Sequence, residues 1–591
     1  MEKFLGEIKK VLNKVGVSGE IDLTTPPNPE MGDFAFACFN IAKEWKMSPV
    51  EAAKTIEARI KNYELRIIDR VQAMGPYVNF YLKASELAKI VLGEIQKKGK
   101  KYGINNSGKG KKVLIEYPSN NTHKEFHIGH LRNVCIGNSL VQLYEQNGYK
   151  VYPVNYLNDF GNHVAKCLWG LIKFHKDEKP PANKQKWLGE IYAEASKKLT
   201  EPDALAIKTP GLAEQVGDMG KAEDLEYTVQ KYREEVAEIQ KQIESQDPKI
   251  WKVFMQTRQW SIDKFEEIFK QLGVEHKAVF YEKDLKDKGQ KMVDDLLKKG
   301  IAQVGEGGAI IIDLSEYKLD IALLRKSNGA GLYLTSDLPL AMEKFKKCNA
   351  DESIVITGTE QNFYFKQLYK ILELIGFNKK LTHIGYGLVN LKEGKMSSRL
   401  GNVILYEDLY AEVFAMLKAE SVERHPDWSE KKINNNVSVL AMAALKFDMQ
   451  KHEAAKNITF DAKEATSFEG FSGLYVLYAI ARINSILKQS KKSKAKIDYN
   501  LLDKPEEKHL VLFLAKYEEV VKSALMNYNP SEITRYSFDL AQSFNDFYNK
   551  HSILKAETES LVAARLQLVG AAKNVLENSL GLLTIGTVEE M

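Results

Sequence analysis

At roughly 100–200 residues per domain, a chain of 591 residues is divided into about three or four domains. Hydrophobic residues make up 44% and charged residues 28%, which excludes wholesale disorder. Lys plus Arg number 84 against 79 Asp plus Glu, a formal charge of +5; this excludes a polybasic binder but not a local basic face for nucleic acid.

The opening stretch, MEKFLGEIKKVLNK, sets Leu5, Ile8, Leu12 and Val15 at helical spacing. It is lysine-rich and has no apolar core, so it does not read as a secretory signal. No apolar run in the chain approaches the roughly 20 residues of a membrane span. Pro26, Pro27 and Pro29 then enforce a loop. FAFACFNIAKEW and PVEAAKTIEARI read as helices, and YVNFYL (Tyr77 to Leu82) as a strand. The Gly/Lys/Asn-rich KKGKKYGINNSGKGKK reads as a solvated connector. Residues 1–108 therefore form an α/β N-terminal domain.

VLIEYPS (Val113 to Ser119) has the length and apolarity of a buried strand. A polar loop, NNTHKEF, leads into a helix beginning near His127, and KVYPVNYL is the next strand. AIIIDLS, DIALLRKS and SIVITGT continue the alternation. Such a pattern predicts a doubly wound, mostly parallel sheet with helices on its faces, over residues 109–406. Residues 173–270 or so are charged and helical and read as an insertion. From about Glu407 the strand pattern nearly vanishes. Leu510, Phe513, Leu514, Tyr517, Val520, Val521, Ala524 and Leu525 form one helical stripe, and Tyr536, Leu540, Phe544 and Phe547 the next. Asn529-Pro530-Ser531-Glu532 reads as N-cap, Pro at N1 and Glu at N3. Residues 407–591 are thus a helix bundle. Within it, KQSKKSKAK (Lys488 to Lys496) is either a solvated loop or an RNA-phosphate contact.

Two segments carry chemistry. His127-Ile128-Gly129-His130 sits between strand and helix, where a doubly wound sheet binds nucleotides. Gly129 leaves room for a flat group against the backbone. The two imidazoles share one face at a helix N-terminus, where phosphate is favoured, and their N–H groups can donate to a crowded phosphoryl centre. Satisfied surface histidines are the alternative. Lys395-Met396-Ser397-Ser398-Arg399, between Gly394 and Gly401, is a cationic loop able to close over a triphosphate; alone, it is an ordinary charged turn.

Together and in this order, the two segments resemble the HIGH and KMSKS signatures of class I aminoacyl-tRNA synthetases. The second lysine of KMSKS is Ser398 here, while Lys124 stands three residues before His127. This pairing resembles arginyl-tRNA synthetases, in which a lysine upstream of HIGH takes over from the lost one. IEYPSNNTHKEFHIGHLRN, GLYLTSDLPLA, GTEQNFYFKQLYKILELIG, YAIARINSIL, GPYVNFYL and the end SLGLLTIGTVEEM are similar to that family across nearly the whole chain. One departure is that the usual Ser-Pro-Asn reads Ser119-Asn120-Asn121.

The resemblance implies a Rossmann-like catalytic domain, an N-terminal tRNA-binding domain and an anticodon-binding bundle. It implies ATP-dependent ligation of arginine to its tRNA through an adenylate, with Mg²⁺ accompanying ATP and no protein-bound metal, zinc included. His127, His130, Lys124 and Lys395 are the expected catalytic residues. Gly129, Met396, Ser397 and Ser398 join His127, His130 and Lys395 around ATP. Asp337, helped by Tyr333 and Glu116, is expected on the guanidinium, and Asn121 and Gln361 at the α-amino end. Taken singly, Asp337 is equally a helix cap and Tyr333 a core residue. Tyr77 and Asn79 are the expected tRNA contacts, with a half-buried strand tyrosine as the alternative for Tyr77. A guanidinium needs carboxylates and aligned acceptors, which argues against a glutamate enzyme. Cys38, Cys135, Cys167 and Cys348 are unclustered, read as buried hydrophobes, and argue against a zinc-bearing cysteine enzyme. A lysine enzyme and a catalytically dead tRNA-binding paralogue are the remaining rivals. A cytoplasmic monomer is expected, engaging neither DNA nor membrane.

Overall fold

The computed structural model describes residues 1–26, 28–63, 65–199, 219–391, 404–490 and 495–591. The N-terminal part is an antiparallel sheet of order β1–β2–β4–β3, built from β1 (Leu23–Thr24), β2 (Phe34–Ala37), β3 (Ile68–Met74) and β4 (Tyr77–Leu82). Helices Glu2–Lys14, Pro49–Ile60 and Ala84–Lys98 contribute to the same apolar core. Ser48 and Glu51 form a reciprocal capping box, with Pro49 in the first turn, so the second helix starts where its sequence dictates. FAFACFNIAKEW is not wholly helical. Its first half is β2, which pairs with β1 on one side and β4 on the other, and only Phe39–Glu44 is helix. Two-sided pairing outweighs local helical spacing here.

The catalytic sheet has the order β12–β11–β5–β6–β7, with β5 (Lys112–Glu116), β6 (Lys150–Leu157), β7 (Ala278–Tyr281), β11 (Glu352–Gly358) and β12 (Lys380–Tyr386), all parallel. The chain runs outward from β5 in one direction and from β11 in the other. The crevice beyond the carboxyl ends of β5 and β11 is therefore the topological switch point. Helices Lys184–Lys198, Met219–Glu244 and Pro248–Leu272 lie in the predicted insertion.

Two predicted strands leave this sheet. AIIIDLS and DIALLRKS form β9 (Ile310–Asp313) and β10 (Ile321–Arg325), an antiparallel pair that joins β8 (Gln303–Val304) in a separate sheet. The few residues joining them are too short for a parallel crossover, and Lys318 and Asp320 take left-handed φ of 59° and 50° to turn the chain.

Helices Tyr406–Arg424, Glu430–Gln450, Gly473–Gln489, Pro505–Met526, Ser531–Lys550 and Glu559–Leu582 make up the C-terminal bundle. Ser531 opens its helix one position later than the sequence pattern places it, with Pro530 as N-cap. One short strand, β14 (Ile458–Phe460), returns to pair with β13 (Val389–Leu391) of the catalytic part. All four cysteines are buried and free. Residues 491–494 of the lysine-rich segment lie outside the described residues.

The connector after the first domain is not a solvated tether. Tyr102 is buried, donates its hydroxyl to Leu514 O at 3.1 Å and stacks on Tyr517 with ring centroids 6.1 Å apart. Gly103 has φ +86°, and a Cβ there would stand 2.4 Å from the Tyr517 ring. The lysines disguise an anchored strap. Gly103→Ala is therefore expected to cost about 1–3 kcal/mol through strain and overpacking, read as a lower thermal midpoint with the strap newly open to limited proteolysis. An unchanged midpoint would count against this anchoring.

Candidate functional site

The switch-point crevice is a pocket of about 540 Å³ lined by residues from β5, β6, β11 and β12 and from the helices Ile128–Gln146, Tyr333–Cys348 and Asn362–Leu374. Its two ends differ in chemistry.

At one end the helix Ile128–Gln146 begins with its histidines folded back on its own backbone. His127 Nδ1 accepts from Gly129 N–H at 3.1 Å, and His130 Nδ1 accepts from His127 N–H at 3.3 Å. The rings stack with centroids 3.7 Å apart. Because each Nδ1 is an acceptor, each proton sits on Nε2. Burial pushes His127 down to about 4 and His130 well below its ordinary value, and the nearby Lys124 ammonium adds to both. The pair is thus neutral at pH 7, with two N–H groups free of the helix caps. Gly129 is needed for the imidazole itself: a Cβ would stand 3.0 Å from His127 Cε1 and Nδ1.

The loop before the helix is pinned by the insertion. Buried His123 meets Thr257 Oγ1 at 2.8 Å, and its backbone N–H donates to Ser261 Oγ at 3.0 Å. Ser119 and His123 both take left-handed φ. Asn121 lines the pocket and bridges to Asn158 beside it.

Further along the helix, Arg132 is fully buried and donates to Gly387 O at 2.7 Å and Glu453 O at 3.3 Å. Ile128 N–H donates to Ile404 O at 3.1 Å, and Tyr406 N–H to Phe126 O at 3.0 Å. The backbone on either side of residues 392–403 is therefore stitched to the histidine helix. Lys395, Met396, Ser397 and Ser398 themselves lie outside the described residues.

The other end of the pocket is acidic. Glu116, the last residue of β5, is buried and paired with buried Lys344 at 2.6 Å. Asp337 accepts from the Tyr364 hydroxyl at 2.5 Å through Oδ2, while Oδ1 is buried without a partner. Burial raises Asp337 to about 6, with Glu116 adding to the rise and Tyr364 and Lys344 opposing it. The Tyr156 and Tyr369 hydroxyls and Ser353 Oγ are also buried and unbonded. Behind them, Glu282 is raised to about 8 by burial and by Asp337 and Asp159. Glu116 and Lys344 cancel and Glu282 holds its proton, so ionised Asp337 leaves this end one negative charge with acceptors waiting. A monocation with several N–H donors fits.

The helix Tyr333–Cys348 presents Tyr333, Asp337, Ala341 and Lys344 on one face at i, i+4, i+8 and i+11. Asp337 is inside this helix, whose N-cap is Leu332, so it is not the cap. Tyr333 is 61% exposed, a rim residue and not core. Gln361 closes the turn after β11 and lines the pocket. The structure therefore brings together Glu116, Asn121, His127, His130, Tyr333, Asp337 and Gln361. Gly129 lies in the first turn of the helix beneath the histidines. Lys124 stands just outside the pocket lining, its Nζ 5.0 Å from the Tyr192 ring centroid. Lys344, Tyr156, Tyr364 and Glu282 were missed by sequence reasoning. Lys344 left one signal: it lies two helical turns after Asp337. In the N-terminal sheet Tyr77 is 39% exposed beside Phe39, but Asn79 is buried, with Nδ2 donating to the Met74 sulfur.

Residues 92–462 match the family of "tRNA synthetases class I (R), catalytic domain", residues 2–82 the "Arginyl tRNA synthetase N terminal domain", and residues 476–591 the "DALR anticodon binding domain". The chain is 34% identical over 571 residues to the arginine–tRNA ligase of Clostridium beijerinckii, covering 96% of this chain and 95% of that one. It is 32% identical over 595 residues to that of Halothermothrix orenii, covering 100% and 99%. The Thermus thermophilus arginyl-tRNA synthetase shares the fold, with a TM-score of 0.75 at 23% identity over the full length of both chains.

The caps make a prediction that needs no turnover. Nitrogen-15 NMR of the imidazoles should find His127 and His130 as Nε2–H tautomers that stay neutral down to about pH 5. Gly129→Ala should mix the tautomers of His127, and a parent His127 resonance titrating near 6.5 would contradict the geometry.

Proposed function

This chain belongs to the arginyl-tRNA synthetases and ligates L-arginine to its tRNA with ATP, and from that premise we propose how its residues divide the work. The acidic end takes the guanidinium, and Asp337 is its principal partner. The observation that carries this is the buried, unbonded Oδ1 of Asp337 beside an Oδ2 already fixed by Tyr364. Glu116 offers only its second oxygen, Oε1, since Lys344 occupies Oε2 and cancels its charge. Tyr333 covers the side chain from the rim, and Asn121 and Gln361 take the α-amino end. One guanidinium then neutralises Asp337. A side chain without the planar fork leaves Asp337 unpaired in a dry pocket, and rejection by a factor on the order of 10⁴ is expected of such a site.

ATP lies across the start of the histidine helix. The arginine carboxylate attacks the α-phosphorus in line, the bond to the bridging oxygen of pyrophosphate breaks, and arginyl-adenylate forms. Nε2–H of His127 and His130 donates to oxygens whose charge grows in the transition state. Lys124 supplies a full positive charge in place of the lysine that Ser398 replaces. Gly129 keeps the His127 ring in place. Lys395, Met396, Ser397 and Ser398 are assigned to the phosphates from their motif alone, and Mg²⁺ arrives with ATP as part of the substrate. The 2′-hydroxyl of the tRNA terminal ribose then attacks the adenylate carbonyl, the acyl–oxygen bond to the phosphate breaks, AMP leaves, and the hydroxyl proton passes to the departing phosphate or to solvent.

Tyr77 is assigned to a tRNA base by its exposure beside Phe39. Asn79 joins it only if its side chain turns away from Met74. The three-part division at 108 and 406 separates tRNA binding, chemistry and anticodon binding. The enzyme is read as a cytoplasmic monomer; among the described residues no helix is long and apolar enough to cross a membrane.

Two measurements test this division. Asp337→Asn should raise the arginine KM at least about tenfold, as expected when a charged hydrogen-bond partner is lost, and move the ATP KM far less. In the parent enzyme Asp337 must be ionised to bind, and it is raised to about 6 when the pocket is empty. Arginine affinity should therefore be full above pH 7 and fall by up to about tenfold per pH unit below 6; a flat profile to pH 5 would remove Asp337 from its role. Lys124→Ala should lower arginine-dependent ATP–pyrophosphate exchange by about 10²–10³-fold while tRNA binding survives.

A further inference from the structure

We propose that Tyr192 is a positioning residue for Lys124, and that one face of the helix Lys184–Lys198 in the insertion serves to set that lysine beside the histidine pair. The inference rests on the reading of Lys124 given above.

Three residues of this helix meet two consecutive residues of the loop. Gln185 donates from Nε2 to Lys124 O at 3.0 Å. Gly189 lets the Glu125 side chain lie against the helix, where a Cβ would stand 2.4 Å from Glu125 Cγ. Tyr192 carries the Lys124 ammonium over its ring at 5.0 Å from the centroid. Positions 185, 189 and 192 are spaced i, i+4, i+7, so they form a single helical face. Gln185 is 4% exposed, and Tyr192 packs against the cluster of Cys167, Trp187, Leu188 and Ile191. The ring is therefore a fixed surface.

The choice of a ring has a physical consequence. A carboxylate would hold the ammonium by cancelling its charge, and that pair would have to break before the lysine could serve a phosphate. An aromatic face holds a cation weakly and leaves its charge intact. The neighbouring Glu125 is raised to about 7, chiefly by burial and then by Glu190, and two further carboxylates near Glu125 have lysines of their own. Glu407 pairs with Lys264 at 2.6 Å, and Asp408 lies 3.7 Å from Lys186. Among the described residues no carboxylate lies within ion-pair distance of Lys124. Its field instead reaches His127, His130 and His163, each of which it helps to keep neutral. The ammonium is thus held, uncancelled, between the ring and the histidines.

Arginine-dependent ATP–pyrophosphate exchange on the full chain tests this. Tyr192→Leu should lower kcat about three- to fivefold, the scale of a partly exposed cation–π contact, with the arginine KM unchanged. Tyr192→Phe, which keeps the ring, should restore the loss. Tyr192→Glu, which offers Lys124 a carboxylate, should lower kcat further than Leu does. In a Lys124→Ala background, assayed at high enzyme concentration, neither Leu nor Glu should change the residual rate. Tyr192→Gln provides the same ring-free readout if Tyr192→Leu unfolds early. A Phe variant as defective as Leu, or a Leu effect of equal size in the Lys124→Ala background, overturns the positioning role. Near-normal exchange in Lys124→Ala alone would overturn the reading of Lys124 and this inference with it. A crippled Lys124→Ala beside a silent Tyr192→Leu would overturn this inference only.

Discussion

Arg132 is a guanidinium buried completely, and much of the site is arranged around it. From the histidine helix it reaches backbone carbonyls of Gly387 and Glu453, partners 255 and 321 positions away in sequence. A buried charge left without hydrogen bonds is costly, so three remote stretches of chain must converge before its two terminal nitrogens find acceptors, while Nε stays without a partner. The stretches are the helix that begins at His127, the turn after β12, and the segment leading to β14. The β13–β14 pair and the backbone bonds at Ile404 and Tyr406 join the same stretches. Together they bracket residues 392–403, whose motif reads as the triphosphate-binding loop. The relation between the two signature motifs is thus a matter of buried hydrogen bonding as well as of order along the chain.

A second layer of the design is electrostatic. Charge in the pocket is distributed by pairing, by burial and by hydrogen bonding. Glu116 is tied to Lys344, Glu282 is held protonated, and Asp337 is left with one oxygen to offer. At the opposite end the histidines are neutral donors and Lys124 supplies a full positive charge. The small net charge of +5 is therefore an average over an acidic slot for a cationic substrate and cationic groups for phosphate. It carries little information until the two are separated in space.

What was legible in the sequence follows from where the information is local. VLIEYPS, KVYPVNYL and SIVITGT are nearly continuous apolar runs, as parallel strands buried on both faces should be, and all three lie in the five-stranded sheet. His127, Gly129 and His130 form a local cap, and their spacing alone places them at a helix start. The strand hidden in FAFACF and the strap at Tyr102 depend on partners far along the chain. No local pattern announces them. Lys344 illustrates the limit most clearly. It reads as one lysine among many on a helix, and only the fold reveals that it neutralises a carboxylate more than two hundred residues earlier. Asn79 shows the converse, for its polar side chain invites a surface role while the strand turns it inward.

The histidine caps carry one more consequence. Acyl transfer usually requires a base to take a proton from the nucleophile, but here the first nucleophile is already a carboxylate and the leaving group departs as an anion. Phosphorus chemistry of this kind moves electron density and no proton. A pair of imidazoles whose Nδ1 atoms are committed to backbone N–H groups cannot readily shuttle protons, and this first step needs none. Their rigidity makes them fixed dipoles whose strength stays constant as the surrounding pH drifts.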